Sequence, residues 1–412
     1  MPQGKPRNPL SLIGNHGHHD PPDHSQNCGF QDGWLNPLGH PSVACPYTQD
    51  NGVTGTHYRR IAGLAIADWT MARTGRSGMK RAGFGMAAWL IPTAWAIPLA
   101  WGAPPAADPA SIVTLQVEND AVSTYRGTSD QYYTSGVRLG YVAPTTATPD
   151  FLTEFGRTVW GDGTQRISVQ LAQSIFTPRN TQARPPDPRD RPYAGYLHAD
   201  AALIHDTTDT RSVLQVSLGV VGPSALGEQV QNGFHSLIGD TPNRGWKSQL
   251  RDEPAVEVLL EQTYRLPITR FSGVEVDALP ALTSGIGTVR DYVQVGGTVR
   301  FGQGLDSDFG APRIRPGLSG SDAYTPTRPF AWYVFAGLDG QAIGRDIFLD
   351  GSTFRNSPHT TKRAFLGEAQ AGLAVMAFGV RLTYTQVFQT PSFDRQRSGL
   401  FNFGSLALSA RF

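Results

Sequence analysis

The chain has 412 residues, 46 of them glycine, and a formal net charge of +1 at pH 7. Its length allows a large core, but no helical periodicity repeats along it, so a β-rich protein is the first expectation. Because no stripe rich in Lys and Arg accompanies the balanced charge, nothing in the sequence favours a nucleic-acid partner.

Residues 1–78 are rich in Gly, Pro, Asn and His, and they show neither a helical nor a strand period. Both cysteines of the chain, Cys28 and Cys45, lie in this segment without the paired spacing of a zinc module. We expect residues 1–78 to be a disordered extension, or sequence upstream of the native start that the mature protein does not contain. The exported part would then have no cysteine, so no disulfide would support it.

Residues 79–103, "MKRAGFGMAAWLIPTAWAIPLAWGA", have the features of a secretory signal peptide. Lys80 and Arg81 form the charged region, an apolar run follows, and small residues close it. Two prolines interrupt a run that is already at the short end of the ~20 residues a membrane-spanning helix needs. We therefore predict export, with translation starting at Met79.

After the signal, segments of about ten residues carry an apolar side chain at every second position, which is typical of outer-membrane strands. The most regular are "SIVTLQVE", "SGVRLGYVA", "RISVQLAQSIF", "SVLQVSLGVVG", "DYVQVGGTVRFG", "VRLTYTQVFQ" and "GSLALSARF". Less regular segments lie near residues 193–205, 254–265, 270–282, 329–340 and 364–376. The total of about twelve is even, as single-chain bacterial barrels require. We predict an all-β fold, a transmembrane antiparallel β-barrel over residues 108–412.

The two faces of the candidate strands suit two different surroundings. In "DYVQVGGTVRFG" one face carries Val293, Val295, Val299 and Phe301, and the other carries Gln294, Thr298 and Arg300. The apolar face suits lipid and the polar face suits the lumen of a barrel. The last strand ends at Phe412, and such a terminal aromatic residue predicts recognition by the barrel assembly machinery. A soluble β-sandwich would also alternate, but it would not need to close.

Topology decides which loops meet. With both termini periplasmic, the loops at 119–133, 176–192 and 223–253 lie at the extracellular rim, and the tight turn at 378–379 is periplasmic, as short turns should be. Residues 303–328 make a long periplasmic connection for which the pattern offers no account.

The third of these extracellular loops predicts a short helix that opens near Ser224 and ends at Gly239, which suits a left-handed C-cap. Gln231 and His235 are four residues apart, so they share one face of this helix. Imidazole titrates near neutral pH, so His235 is a candidate for accepting a proton from water. A solvated histidine at the rim is the alternative interpretation.

The first loop combines oxygen ligands. Strict alternation puts Glu118 and Asp120 on the lumen face of the first strand, and Thr134 on the same face of the second strand. Carboxylate and hydroxyl oxygens suit Ca²⁺, which polarises ester carbonyls; simple filling of the lumen by polar side chains is the alternative. Asn119 points the other way unless the strand ends there or a bulge intervenes.

Five motifs in this order resemble the outer-membrane lipid A 3′-O-deacylase family over residues 111–412. They are "VENDAVSTYRGTSDQYYTSGVRLGY", "QSIFTPRN", "DRPYAGYLHADA", "GVVGPSALGEQVQNGFHSLIG" and "GWKSQLRDEP". The resemblance implies a twelve-stranded barrel of the bacterial outer membrane that hydrolyses, with Ca²⁺, the ester holding the 3′ acyloxyacyl group of lipid A in the outer leaflet of lipopolysaccharide.

Carried over position by position, the resemblance makes His235 the general base that activates water. Asn119, Asp120 and Thr134 would complete the site, with Asp120 binding or positioning the calcium ion, and Gln231 would orient the histidine. The sequence departs from some family members six and eight positions after the histidine, where Thr241 and Asn243 replace an acidic and an aromatic residue.

Arginines of the second loop, among them Arg189 and Arg191, are candidates for pairing with the phosphates of the lipid, ordinary rim charge being the alternative. Two other functions stay open. An outer-membrane phospholipase would use a nucleophilic serine beside the histidine, and the only serine near His235 is its neighbour Ser236. A non-catalytic structural or pore-forming barrel would not depend on His235 at all.

Overall fold

The computed structural model describes residues 102–125, 130–314, 322–397 and 399–412. The extension at 1–78 and the signal peptide, up to residue 101, lie outside the described residues, so both stay predictions. Within the described part of the chain, no helix is long and apolar enough to cross a membrane.

The described residues form a closed antiparallel β-barrel. Its strand segments are β1 (Ile112–Asn119), β2 (Tyr132–Val142), β3 (Thr164–Thr177), β4 (Ala194–Asp206), β5 (Thr210–Val221), β6 (Glu253–Tyr264), β7 (Leu266–Phe271), β8 (Val274–Gly287), β9 (Arg290–Gln303), β10 (Phe330–Asp346), β11 (Phe365–Ala377), β12 (Val380–Gln389) and β13 (Phe401–Arg411). Only Arg265 separates β6 from β7, and both pair with β8, so they form one interrupted strand. Pairing of β1 with β13 closes a barrel of twelve strands, as the sequence predicts.

Among the predicted strands, the segment at 270–282 has the largest difference between its predicted and its observed first residue. The chain turns at Ser272 and Gly273, both with positive φ, and β8 begins only at Val274. Residues 270–271 therefore belong to the preceding strand, because the left-handed turn interrupts a pattern that looks continuous in the sequence.

Within the described ranges, three α-helices connect the strands: α1 (Asp150–Trp160), α2 (Gly227–Ile238) and α3 (Ile347–Asp350). Helix α2 is the predicted loop helix. It begins after a 3₁₀ turn at Pro223–Ala225, and Gly239 ends it with a φ of 76°, which confirms the left-handed C-cap.

The end of the barrel at which β1 begins and β13 ends, and which carries the turn at 378–379, is called the terminal rim below. The opposite end, with the segments at 120–131, 178–193 and 222–252, is called the loop rim. Residues 378–379 form the tight turn expected from the sequence, with φ values of 55° and 76°.

The two faces of the strands separate as predicted. On β9, Val295 is 64% exposed, whereas Gln294 beside it is 2% exposed. Outward-facing apolar side chains form a band around the barrel, the apolar belt, whose members include Leu115, Leu139, Val169, Leu171, Leu218, Val295, Leu338, Leu373, Leu382 and Leu408. This band is the surface that a barrel presents to lipid.

The long connection between β9 and β10 enters the lumen from the terminal rim. The main-chain oxygen of Pro312 accepts a hydrogen bond from Gln116, the amide of Ile314 donates to Glu118, and Asp322 pairs with Arg138 at 2.6 Å. Residues 304–314 and 322–329, the plug, therefore account for the segment that the sequence pattern leaves unexplained.

Buried charges tie the plug to the wall. Asp308 is fully buried and lies 2.5 Å from Arg300 and 3.0 Å from Arg381, and the hydroxyl of Tyr333 donates to its second oxygen. Arg300 also pairs with Asp277 at 2.6 Å. Removal of two guanidinium groups from water is tolerable because each faces a carboxylate.

Candidate active site

A bulge turns Thr134 away from the lumen. The register of β2 against β3 shifts between Tyr133 and Ser135, so Tyr133 points inward, where its hydroxyl donates to Glu118. The Thr134 hydroxyl lies 2.7 Å from that of Thr177, which alternation along β3 puts on the outer face. The prediction that Thr134 shares the lumen face with Glu118 is therefore wrong, because the extra residue reverses the alternation.

Asn119 and Asp120 lie where β1 ends. Alternation puts Asn119 on the outer face, and Asp120 opens a 3₁₀ turn at Asp120–Val122 that folds over the outer wall of β13. The turn packs so closely on Gly404 that a Cβ there would lie 2.4 Å from the Val122 carbonyl oxygen. Because β1 ends at Asn119, both Asn119 and Asp120 can belong to one site, whereas strict alternation would place them on opposite faces of the strand.

Helix α2 also lies on the outer wall, at the loop rim. Gly195 of β4 faces its first turn, and a Cβ on Gly195 would come within 3.1 Å of the Gly227 nitrogen. The Gln173 side chain of β3 donates a 2.6 Å hydrogen bond to the Ala225 carbonyl, just before the helix. Two glycines at this contact let the helix approach the strands closely, which brings its buried face to the level of Thr177.

His235 is held at both ring nitrogens. Nδ1 lies 2.9 Å from the Thr241 carbonyl oxygen, and Nε2 lies 2.7 Å from Oδ2 of Asp130, although the ring is only 5% exposed. Both partners are hydrogen-bond acceptors, so each ring nitrogen faces an oxygen atom. The Asn243 amide donates to the same Asp130 oxygen at 2.9 Å.

A chain of hydrogen bonds links the first loop to the helix. The Thr134 hydroxyl contacts that of Thr177, and the Thr177 hydroxyl donates to the main-chain oxygen of Asp130 at 3.0 Å. The carboxylate of Asp130 then reaches His235. The structure thus brings Thr134 and His235 into one network, with two intermediates that the sequence analysis missed.

Gln231 lies one turn before His235 on the buried face of α2, as its spacing predicts. Its Oε1 accepts a 2.9 Å hydrogen bond from the Trp246 indole, while its buried Nε2 has no hydrogen-bond partner among the residues that the structure describes. A buried amide donor without an acceptor is costly in a finished structure, and it is suited to an acceptor that arrives with a ligand.

Replacing Trp246 by Phe should lower the free energy of unfolding by about 2 kcal/mol, because the Gln231 oxygen would lose its donor in a buried position. Urea unfolding of the refolded protein in lipid vesicles would measure the change. Trp332→Phe is the matched control, because the Trp332 ring lies on the outer wall near the terminal rim, where it contacts Phe301. Equal losses for both variants would contradict a role for the Trp246 hydrogen bond.

The two arginines proposed for phosphate recognition have different positions. Arg189 is exposed and forms a 2.9 Å ion pair with Asp187, whose pKa this partner lowers to about 2. Arg191 is buried and its guanidinium lies over the Phe176 ring, 4.7 Å from its centre, on the lumen side of β3. Burial lowers the pKa of Arg191 to about 10, so it stays charged at neutral pH. The structure brings neither side chain to His235.

The carboxylate of Asp120 supplies oxygen ligands, which fit a hard cation. Its buried carboxylate accepts a long hydrogen bond of 3.4 Å from the Gln131 amide, next to Asp130. The described residues contain no group of three or more His, Cys, Asp or Glu side chains that would hold a metal ion alone. A calcium ion at Asp120 would therefore also need amide, main-chain or water oxygens to reach its usual six to eight ligands.

Asp130 is the main residue that the sequence analysis missed. It is a loop carboxylate two residues before β2, the strand that carries Thr134, and that position is the one signal that could have indicated it. Ser236, the only neighbouring serine, is exposed on the far side of α2, and the two contacts of the His235 ring go elsewhere.

Comparison with known proteins agrees with this architecture. The family described as outer membrane protein LpxR matches residues 86–412. LpxR from Salmonella typhimurium has a similar structure, with a TM-score of 0.60 at 21% sequence identity, covering 73% of this chain and 99% of that one.

Two autotransporter domains are more distant. The β domain of the Bordetella autotransporter BrkA aligns with a TM-score of 0.36 at 11% identity, covering 75% of this chain and 99% of that one. The translocator domain of NalP from Neisseria meningitidis aligns with a TM-score of 0.32 at 11% identity, covering 75% and 89%. No curated protein sequence matches significantly. Since the family match spans the whole barrel and the residues just before it, the chain belongs to the LpxR family of bacterial outer membrane proteins.

Proposed function

We propose that this protein is a calcium-dependent esterase that removes the 3′-O-linked acyloxyacyl group from lipid A. The observation that carries the proposal is a buried histidine, His235, on the outer wall of the barrel at the loop rim, with Nδ1 fixed by a carbonyl oxygen. A lipid ester lies at the boundary between hydrocarbon and headgroup, so its hydrolysis needs a polar site on the wall rather than in the lumen.

The exposed side of α2 supports a lipid substrate. Beside the buried face that carries His235, the helix region exposes large apolar side chains: Leu226, Val230, Phe234, Leu237 and Ile238. Leu237 is 81% exposed. An apolar surface of this kind, on a helix that packs on the outer wall, is suited to acyl chains that extend from the ester being cleaved.

In the proposed reaction His235 acts as general base. When Nδ1 donates to the Thr241 carbonyl, the neutral ring has its lone pair on Nε2. Nε2 takes a proton from water, the water oxygen bonds to the acyl carbon, and the ester C–O bond breaks. The proton then passes to the departing sugar oxygen, which leaves a free 3′-hydroxyl and a fatty acid.

Other residues of the site would also take part in this chemistry. The Asp130 carboxylate lies 2.7 Å from Nε2, so in the proposed reaction it must move or share a water there before attack. Nε2 of Gln231, which has no hydrogen-bond partner among the described residues, would donate to the oxyanion, and the amide of Asn119 would be a second donor. Asp120 would hold the calcium ion, whose charge would polarise the carbonyl.

Mass spectrometry of lipid A from cells that express the chain tests the proposal. We expect loss of the 3′-linked acyloxyacyl group with the native protein, and no loss with His235→Ala or in the presence of a calcium chelator. His359→Ala is the matched control, because His359 is an exposed histidine. Unchanged lipid A with the native protein would contradict the reaction, and phospholipid products in its place would favour a phospholipase.

Asp120→Asn should weaken calcium binding about ten-fold or more, because the cation loses a charged ligand. The rise in melting temperature with added Ca²⁺ measures this without any substrate, since a ligand that binds only the folded state stabilises it. Asp187→Asn, at an exposed carboxylate of the second loop, is the control. The same calcium-dependent shift in the native protein and in Asp120→Asn would remove Asp120 from the site.

A further inference from the structure

Helix α1, between β2 and β3 at the terminal rim, has two different apolar surfaces. At 100° per residue, Phe151, Phe155 and Val159 form one stripe, and Gly156 and Trp160 lie on the adjoining side. The polar side chains Asp150, Glu154 and Arg157 lie on the opposite side of the helix, where Glu154 pairs with Arg157 at 2.8 Å. The helix is therefore amphipathic, with an apolar half that is wider than its contact with the barrel.

The side of Gly156 and Trp160 docks on the outer wall. A Cβ on Gly156 would lie 3.0 Å from Cγ of Gln165, and the Trp160 ring lies 5.5 Å from the ring of His205. Gln165 and His205 bond to each other at 3.0 Å, and alternation puts both on the outer face of β3 and β4. The helix thus covers outward-facing positions of the wall roughly 13 Å along the strand from Val169 of the apolar belt.

The stripe of Phe151, Phe155 and Val159 stays uncovered. Phe151 is 71% exposed, Phe155 42% and Val159 52%, so each of the three side chains keeps a large part of its apolar surface exposed, although the Phe155 ring also contacts that of Trp160. Three adjacent large apolar side chains on one stripe form a patch rather than scattered surface residues.

The patch continues a ring of exposed aromatic side chains at the terminal rim. Its members on other strands and turns are Tyr141, Phe271, Phe301, Phe330 and Phe412. Outer-membrane barrels carry such girdles at the level of the membrane interface. On β3 and β4 the corresponding outward positions are the covered Gln165 and His205, so α1 supplies the aromatic side chains where the strands lack them.

We propose that α1 lies in the plane of the membrane at the terminal rim, with the Phe151, Phe155 and Val159 stripe inserted among phospholipid acyl chains. With both termini periplasmic, this is the phospholipid leaflet. The polar half has both signs of charge and no excess of Lys or Arg, so insertion rests on apolar contact rather than on attraction to anionic headgroups.

Nitroxide labels on single cysteines test the proposal in phospholipid vesicles, using the full chain with Cys28→Ser and Cys45→Ser. Labels go on Phe155→Cys in the stripe, on Arg157→Cys, an exposed position of the polar half, and on Leu171→Cys in the apolar belt. We expect the ratio of collisions with oxygen to collisions with a water-soluble nickel complex to be several-fold higher at 155 than at 157, and close to the ratio at 171.

A ratio at 155 equal to that at 157 would overturn the proposal, because the stripe would then face water. If the Phe155→Cys variant does not fold into vesicles, Val159→Cys on the same stripe replaces it in the measurement. If the stripe binds a partner protein instead of lipid, the label at 155 would face water in vesicles that contain only lipid and the purified chain. It would then collide often with the nickel complex, which would also overturn the proposal. None of these readouts uses enzymatic activity, so the result is independent of the proposed function.

Discussion

His235→Asn should lower the turnover number on lipid A by about 10²- to 10⁴-fold, the usual contribution of a general base. The asparagine amide takes the place of Nδ1 and can still donate to the Thr241 carbonyl, so the loop keeps its anchor. What disappears is Nε2, the atom that would take the proton from water. Release of fatty acid from purified lipid A in detergent, at saturating substrate and calcium, measures the effect.

The control for this prediction is Ser236→Ala. Ser236 is exposed and next in sequence, and in the proposed reaction it has no part, so the variant should retain activity within about two-fold of the native rate. Loss of activity in Ser236→Ala with retention in His235→Asn would contradict a histidine base and favour a serine nucleophile. Retained activity in both variants would exclude this helix as the site.

The barrel is largely predictable from the sequence because a strand has a period of two. A single run such as β9 therefore tells which residues face lipid, and the exposures of Val295 and Gln294 confirm it. Local chemistry was equally readable at Gly239, where a left-handed residue ends α2. Neither inference depends on which strands are neighbours.

The plug was not predictable for the opposite reason. Its contacts join residues that are remote in sequence, such as Gln116 with Pro312 and Arg138 with Asp322, and no periodicity announces them. The segment looked like a long loop because its polar and small residues match loop composition. Its partners are polar lumen side chains, which alternation identifies as inward-facing without saying what fills the space between them.

The face of one candidate site residue, Thr134, was predicted wrongly for a geometric reason. The bulge in β2 adds one residue at Thr134, which moves its side chain from the lumen to the outer wall. A one-residue irregularity reverses every face beyond it, and alternation alone does not reveal where it occurs. Because Thr134 points outward, its face agrees with those of Asn119 and His235. All three residues lie on the same side of the barrel wall.

Asp308→Ala should lower the free energy of unfolding by about 3–5 kcal/mol, the typical loss when one partner of a buried ion pair is removed. Asp308 is shared by Arg300 and Arg381, so its loss withdraws a carboxylate from two buried guanidinium groups at once. Arg300 keeps Asp277, which limits the loss on that side. Urea unfolding in lipid vesicles gives the free energy.

Asp306→Asn separates this effect from a general sensitivity of the plug. Asp306 is an exposed residue of the 3₁₀ turn just before Asp308, Leu305–Ser307, and its carboxylate accepts a hydrogen bond from Thr327, so the substitution should cost less than about 1 kcal/mol. Because Asp308 ties the plug to the wall, Asp308→Ala should also admit ions, whereas the native protein and Asp306→Asn should not conduct in planar bilayers. If Asp308→Ala has the free energy of unfolding of the native protein and does not conduct ions, the remaining contacts, such as Arg138 with Asp322, hold the plug without Asp308.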